Sequence, residues 1–335
     1  MFHFGTSDLA QNLMLRRSGT QLRETVSRLT AELSSGQHQD TSRALNGALT
    51  QLGNIEHGLG LSAQHIASAN FAATFLAAQQ SAISQVGQLT QDLALDLQTS
   101  TSTPNDAIVS EAGNRAKQGF EHAIGLLNSQ VAGRHLFSGV SGDVQPFADP
   151  DVILDALVTS LPPTPSTTDI RQHVESWFAV GGPFDTIAYQ GGEKAATGLD
   201  LGDQTRVRLD LDGSGTYQRD ALAGLALGAI AQAMPTPPSS AEQRDLLSLS
   251  ARLLFQSDDS RVALQSSIGT REARVDEAKT HAQARMSTLQ IARNDLLAAD
   301  PYDTASALES ASQKLDALYL VTARLSRLSL TEYMR

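Results

Sequence analysis

The stretch Leu15-Arg-Arg-Ser-Gly-Thr-Gln-Leu22-Arg-Glu-Thr-Val26-Ser-Arg-Leu29-Thr-Ala-Glu-Leu33-Ser-Ser-Gly36 decides how the rest of the chain is read. Leu15, Leu22 and Leu29 recur every seven residues, and Val26 and Leu33 fill the companion positions. That spacing is the seam of a coiled coil. Thr6-Ser7-Asp8 offers caps for its start, and Gly36 suits the left-handed residue that ends a helix. A single helix of this length is marginal in water. Ordering each residue costs about 1–2 kcal/mol, while each buried Leu or Val returns roughly 1.5–3 kcal/mol. The segment therefore needs partners on more than one side, and is expected to order fully only when it packs with other copies.

The far end of the chain carries a matching pattern. Beyond Asp300-Pro301-Tyr302-Asp303, Leu308, Ala311, Leu315, Leu318, Thr322 and Leu325 line a last helix. The distribution of proline explains what lies between. All 11 prolines fall between Pro146 and Pro183 or at Pro104, Pro235, Pro237, Pro238 and Pro301. A proline inside a helix costs about 3 kcal/mol, so the proline-free stretches are free to be long helices.

In the front half, Leu45, Leu52, Leu59, Ile66 and Ala73 form one seam, and Ile55, Ala69, Leu76, Ile83 and Leu97 the other. A helix from Leu45 to Leu97 would be about 80 Å long, with a soft point expected at Gly53, Gly58 and Gly60. After a turn at Thr99–Asp106 a third helix is expected to run to Ala132, with Ile108, Phe120, Ala123, Ile124 and Leu127 inward and Gly133 as its stop. In the back half, Asp220–Met234 reads as helix and Pro235–Pro238 breaks it. Ser239 and Glu242 form a capping box, and Ile268, Val275, Ala282, Leu289 and Leu296 repeat every seven residues after a possible interruption at Asp258-Asp259.

The middle differs. From Gly139 to Thr216 the helical period fades, and Gly and Pro become frequent. Thr186–Tyr189 and Thr205–Leu211 read as strands, the second with alternating Val207, Leu209 and Leu211, while 151–158 and 170–178 read as short helices. The expected fold class is mainly α: a discontinuous helical rod formed by both chain ends, with a small β-rich, α+β inserted domain. The expected divisions are 1–42 with 300–335, 43–139 with 217–299, and 140–216.

Composition excludes several functions. With 25 Lys and Arg against 36 Asp and Glu, the net charge of −11 opposes binding to a nucleic-acid backbone. No cysteine is present, which removes disulfides, thiolate nucleophiles and Cys-ligated metals. The start, Met1-Phe-His-Phe-Gly-Thr-Ser-Asp-Leu9, does not read as a cleaved signal peptide. The longest apolar run, Ala221–Met234, is too short to span a bilayer and contains two glycines, so no membrane insertion is expected.

No catalytic or cofactor constellation emerges. The 8 histidines are scattered without zinc spacing. Asp210-Leu-Asp-Gly-Ser-Gly215 lacks the remaining ligands of a calcium loop and reads as a turn. No Gly-x-Ser-x-Gly elbow and no phosphate cradle is present. The chain is expected to be no enzyme and to need neither cofactor nor metal. Phe2, Phe4, Tyr333 and Met334 stand at the extremities, either as frayed ends or as apolar anchors for neighbouring subunits.

Three stretches carry a family resemblance. Leu29-Thr-Ala-Glu-Leu-Ser-Ser-Gly36 resembles the N-terminal Leu-Ser-Ser-Gly signature of the bacterial flagellin superfamily. Gly133-Arg-His-Leu-Phe-Ser-Gly139 is similar to the Gly-Arg-(aromatic)-Leu-Phe-(small)-Gly segment of its hook–filament junction group, the hook-associated protein 3 family, with His135 at the aromatic position. The end, from Leu315 through Leu-Ser-Leu330 to Arg335, resembles the C-terminal helix of the same group. Gln37-His-Gln-Asp-Thr-Ser42 departs from it, standing where most members carry an Asn-rich, Asp-Asp-containing segment.

The resemblance implies a structural subunit of the flagellum, self-associating in a ring or tube between hook-associated protein 1 and flagellin. It also implies type III export without cleavage and an export chaperone on the C-terminal helix. Flagellin itself is the alternative, and an enzyme or glycan-binding module within 140–216 is a more distant one. Leu15, Leu22, Val26, Leu29, Leu33, Leu308, Leu315, Leu318 and Leu325 are the candidate assembly residues. Gly133, Arg134, His135, Leu136, Phe137 and Gly139 are the candidate joint between rod and insert.

Overall fold

The computed structural model describes residues 4–45, 49–102, 105–192 and 198–333. In order these form α1 (Phe4–Ser35), α2 (Thr41–Ala44), α3 (Leu49–Ser102), α4 (Asp106–Leu127), β1 (Gln130–Val131), β2 (Arg134–His135), α5 (Pro150–Thr159), α6 (Thr167–Phe178), a π-helical turn at Phe184–Ala188, β3 (Leu199–Asp200), β4 (Arg206–Val207), α7 (Thr216–Ala233), α8 (Ser240–Leu297) and α9 (Pro301–Tyr333). The strands make two antiparallel pairs, with Gln130 opposite His135 and Leu199 opposite Val207. The fold is mainly α, as the heptad patterns require. Pro104, Phe2 and Met334 lie outside the described residues; Phe4 opens α1 and Tyr333 closes α9.

The chain forms two compact units, Met1–Ala63 with Ala284–Arg335, and Gln64–Gln283. In the first, α1 packs on α9. Leu29 and Thr304 line one cavity, while a methyl placed on Gly19 would touch Leu318, so the two helices run antiparallel. The early part of α3 and the late part of α8 also belong to this unit. Gly53, Gly58 and Gly60 do not interrupt α3. Leu289 of α8 fills the space at Gly58, where a Cβ would stand 2.9 Å from its Cδ1. Close packing there offsets the intrinsic helix cost of glycine. Nor does Asp258-Asp259 break α8: Asp258 accepts hydrogen bonds from Gln91 of α3 and from Arg261.

The second unit is built around α7, in which every residue from Ala221 to Ala231 is buried. Helices α4, α5 and α6 pack against it. A helix that is apolar all round belongs inside a core, and among the described residues no helix is long and apolar enough to cross a membrane. The capping box that opens α8 is formed: Glu242 accepts from the Ser239 amide at 2.8 Å, and Ser239 Oγ accepts from the Glu242 amide. Asn105 caps α4 in a similar sense, accepting from the Ala107 amide at 3.0 Å.

Several sequence expectations give way to tertiary packing. Helix α4 ends at Leu127, not Ala132, because the Asn128 side chain turns to pair with the backbone of Phe147. Ile108 points outward, and Val109 takes the buried position. The segment 186–189 is not a strand. Phe184 and Ala188 are buried four residues apart while Ile187 is exposed, a helical spacing. Only Arg206–Val207 of the expected strand 205–211 pairs, although Val207 and Leu211 are buried. The β content of 140–216 is therefore smaller than expected. This segment is held by α5, α6 and an aromatic cluster in which Trp177, Phe178 and Phe184 lie with ring centres 4.8–6.3 Å apart.

Candidate assembly interface

The heptad residues of both chain ends meet in the α1–α9 pair. Leu29 is buried, with 7% of its surface exposed, and Ala311 and Thr304 of α9 are buried with it. Leu15, Leu22, Val26, Leu308, Leu315 and Leu318 are half-buried, whereas Leu33 and Leu325 remain 41% and 39% exposed. The seams expected to wait for other copies are thus satisfied in part within one chain, because α9 supplies the second side that α1 lacks. A further apolar set stays outside the pair: Leu13 and Met14 on α1, and Leu320 and Val321 on α9, are 66%, 70%, 66% and 47% exposed. Two helices cannot enclose apolar residues spread round more than one face of each.

The Leu-Ser-Ser-Gly stretch ends α1 through a tight set of bonds. Gly36 has φ +69°, which glycine adopts without steric cost, and its amide donates to Glu32 O at 2.8 Å. The chain then runs back beside the segment that follows α8. His38 N donates to Leu297 O at 2.9 Å and Ala299 N to Gly36 O at 2.9 Å. Glu32, an isolated acid in the sequence, is buried at this point. Its carboxylate accepts from Arg28 at 2.7 Å and from the Gln39 amide at 3.2 Å, with His38 Nδ1 at 3.6 Å. Burial alone would raise its pKa. The hydrogen bonds from Arg28 and Gln39, with the charges of Arg28 and His38, outweigh that and hold it below the usual carboxylate range.

The stretch 133–139 forms a different kind of site. Ala132 and Gly133 take positive φ, 51° and 76°, to turn the β1–β2 hairpin. Arg134 is exposed, and His135 Nδ1 sits 2.8 Å from Asn128 O, so this nitrogen carries the proton. Leu136 and Phe137 are buried in the core of the second unit. Gly139, φ 61°, donates to Leu211 O at 3.2 Å, and Gly213 N donates to Phe137 O at 2.7 Å. This segment is thus stitched to the strand-like stretch 209–213.

Residues that no local pattern marks complete the stitching. Gln79 of α3 is buried and its Nε2 donates to Leu136 O at 2.7 Å and Leu209 O at 2.9 Å. The Tyr189 hydroxyl donates towards Gly192 O at 3.0 Å, and burial, with the charge of Asp212 beside it, pushes its pKa up to about 12. Arg219 donates to the carbonyls of Ser214, Phe178 and Ala179, pairs with Asp185, and lies over the Phe184 ring.

No family model matches the chain, and no curated protein matches it in sequence. Solved structures do resemble it. A protein of Vibrio parahaemolyticus, assigned as a flagellar hook-associated protein, superposes with a TM-score of 0.52 at 13% identity, over 74% of this chain and 96% of that one. FlgL of Bacillus cereus superposes with a TM-score of 0.51 at 15% identity, over 72% and 100%. The chain has the fold of these flagellar proteins.

Proposed function

We propose that the chain is a structural subunit of the bacterial flagellum that acts at the junction between hook and filament. The observation that carries this reading is the α1–α9 pair. It joins the two chain ends yet leaves Leu13, Met14, Leu33, Leu320, Val321 and Leu325 uncovered, on a fold shared with flagellar hook-associated proteins. Uncovered apolar residues on paired helices favour lateral packing against sister copies. Leu15, Leu22, Val26, Leu29, Leu308, Leu315 and Leu318 set the pair, and Leu33 and Leu325 extend it towards neighbours. The 133–139 segment joins the long-helix part, 43–139 with 217–299, to 140–216.

In this role the subunit meets hook-associated protein 1 on one side and flagellin on the other. An export chaperone covers α9 before passage through the type III apparatus, and the site of action is extracellular. The role requires no catalysis. Likeness to hook-associated proteins supports the junction over the filament shaft. Immunogold labelling of intact cells tests the reading. Gold at one point near the cell-proximal end of each filament is the expected result, and gold along the shaft or inside the cell contradicts it.

A further inference from the structure

The turn that follows α1 hangs on one buried acid. The Glu32 carboxylate faces Arg28 from its own helix, His38 and Asp40 from the connector, Arg43 from α2 and Asp303 from α9, around a cavity of about 260 Å³. Asp40 is engaged elsewhere, accepting from Ser42 Oγ at 2.7 Å and from the Arg43 amide. Asp300 caps α9 through the amides of Tyr302 and Asp303. Glu32 is thus the carboxylate that receives the connector: the Gln39 amide ends on it, and the next amide upstream, His38 N, ends on Leu297 O. The ionised group thus holds the fold-back of 37–40 at Gln39, next to the backbone pair, His38 to Leu297 and Ala299 to Gly36, that sets its register against 297–299.

We propose that Glu32 is the pin of an acid-released clasp, whose ionised carboxylate holds residues 37–40 over the end of α1 and whose protonation frees them. This does not rest on the flagellar role. A protonated carboxyl loses its charge-assisted bond to the half-buried Arg28 and can no longer accept as strongly from the Gln39 amide. The folded carboxyl is held below its ordinary range, so the clasp is closed at neutral pH. It persists into mild acid and opens as pH falls through the lowered value.

Amide exchange on the full chain tests this, with rates corrected for the intrinsic pH dependence. Protection at His38, Gln39 and Ala299 should fall on the order of tenfold in acid, the equivalent of one charge-assisted bond, while amides of α7 stay protected. Glu32→Gln should show that loss already at neutral pH and no further acid step. Arg28→Gln should move the step to higher pH, and His38→Gln should keep the step and move it in the same direction by less.

The proposal is overturned if Glu32→Gln keeps wild-type protection, if His38→Gln abolishes the step, or if the connector opens only together with α7. Should Glu32→Gln fail to fold, the wild-type titration and the shift in Arg28→Gln decide the matter.

Discussion

Arg23 of α1 donates through Nε to the Tyr319 hydroxyl of α9 at 2.9 Å, and its guanidinium carbon lies 5.7 Å from the centre of the same ring. The pair joins residues 296 positions apart in the chain. A hydrogen bond and a cation–π contact from one cation to one ring also fix the stagger of the two helices, since a shift of one turn would break both.

Tyr319→Phe removes the hydrogen bond and keeps the ring. It should destabilise the α1–α9 pair by about 0.5–1 kcal/mol, and Tyr319→Ala should cost more. A double-mutant cycle with Arg23→Met, read from thermal unfolding of helicity, should return a coupling of the same size.

Gln79 ties α3 to two backbone carbonyls, one in the 133–139 joint and one in the neighbouring stretch at Leu209. Gln79→Met retains length and removes both bonds, leaving the buried carbonyl of Leu136 and the half-buried one of Leu209 short of a partner. The expected loss is about 2 kcal/mol in urea unfolding, with little change in the α1–α9 pair.

Arg219→Lys keeps the charge and loses the planar fork that serves three carbonyls and Asp185. A loss of about 3 kcal/mol is expected. Trp177, the single tryptophan of the chain, lies 4.8 Å from Phe178, whose carbonyl Arg219 holds. Its fluorescence should report the loosening directly.

Asp220 gives a pH dependence of opposite sign to Glu32. Burial raises its pKa, only partly offset by the Ser260 hydroxyl at 2.9 Å. A raised carboxyl favours the folded state while protonated, and the benefit is lost as pH rises through the folded value. Asp220→Asn keeps an acceptor for Ser260, so it should be more stable than wild type at neutral pH. That advantage should shrink as the pH is lowered, as followed by urea unfolding across the acid range.

Replacing both Leu22 and Leu29 with Asp places charge in the seam. Helicity from α1 should fall, the second unit should remain folded, and incorporation into flagella should cease. Normal filaments from the double variant would contradict the proposed interface.

Much of this was legible in one dimension. The seven-residue recurrence from Leu15 to Leu33 and the run from Leu308 to Leu325 announced helices with a sticky side, and Ser239 with Glu242 announced a helix start. Those signals are local, arising from residues within one or two turns. The end of α4 was misjudged because Asn128 bonds Phe147, nineteen residues away, which no window over the helix contains. The strand expected at 186–189 gives way to the burial of Phe184 and Ala188 four residues apart. Glu32 and Gln79 carried no signal, since a polar residue on a helix looks solvent-facing until its partner is placed.

By itself the sequence determined which long stretches are helical and which of their faces are apolar, because propensity, capping and periodicity act between neighbours. Only the tertiary structure decided that α9 covers α1, that a lone acid is buried under the following turn, and which apolar residues stay uncovered. Those outcomes depend on matching two distant surfaces, and close packing selects the partner after the helices already exist.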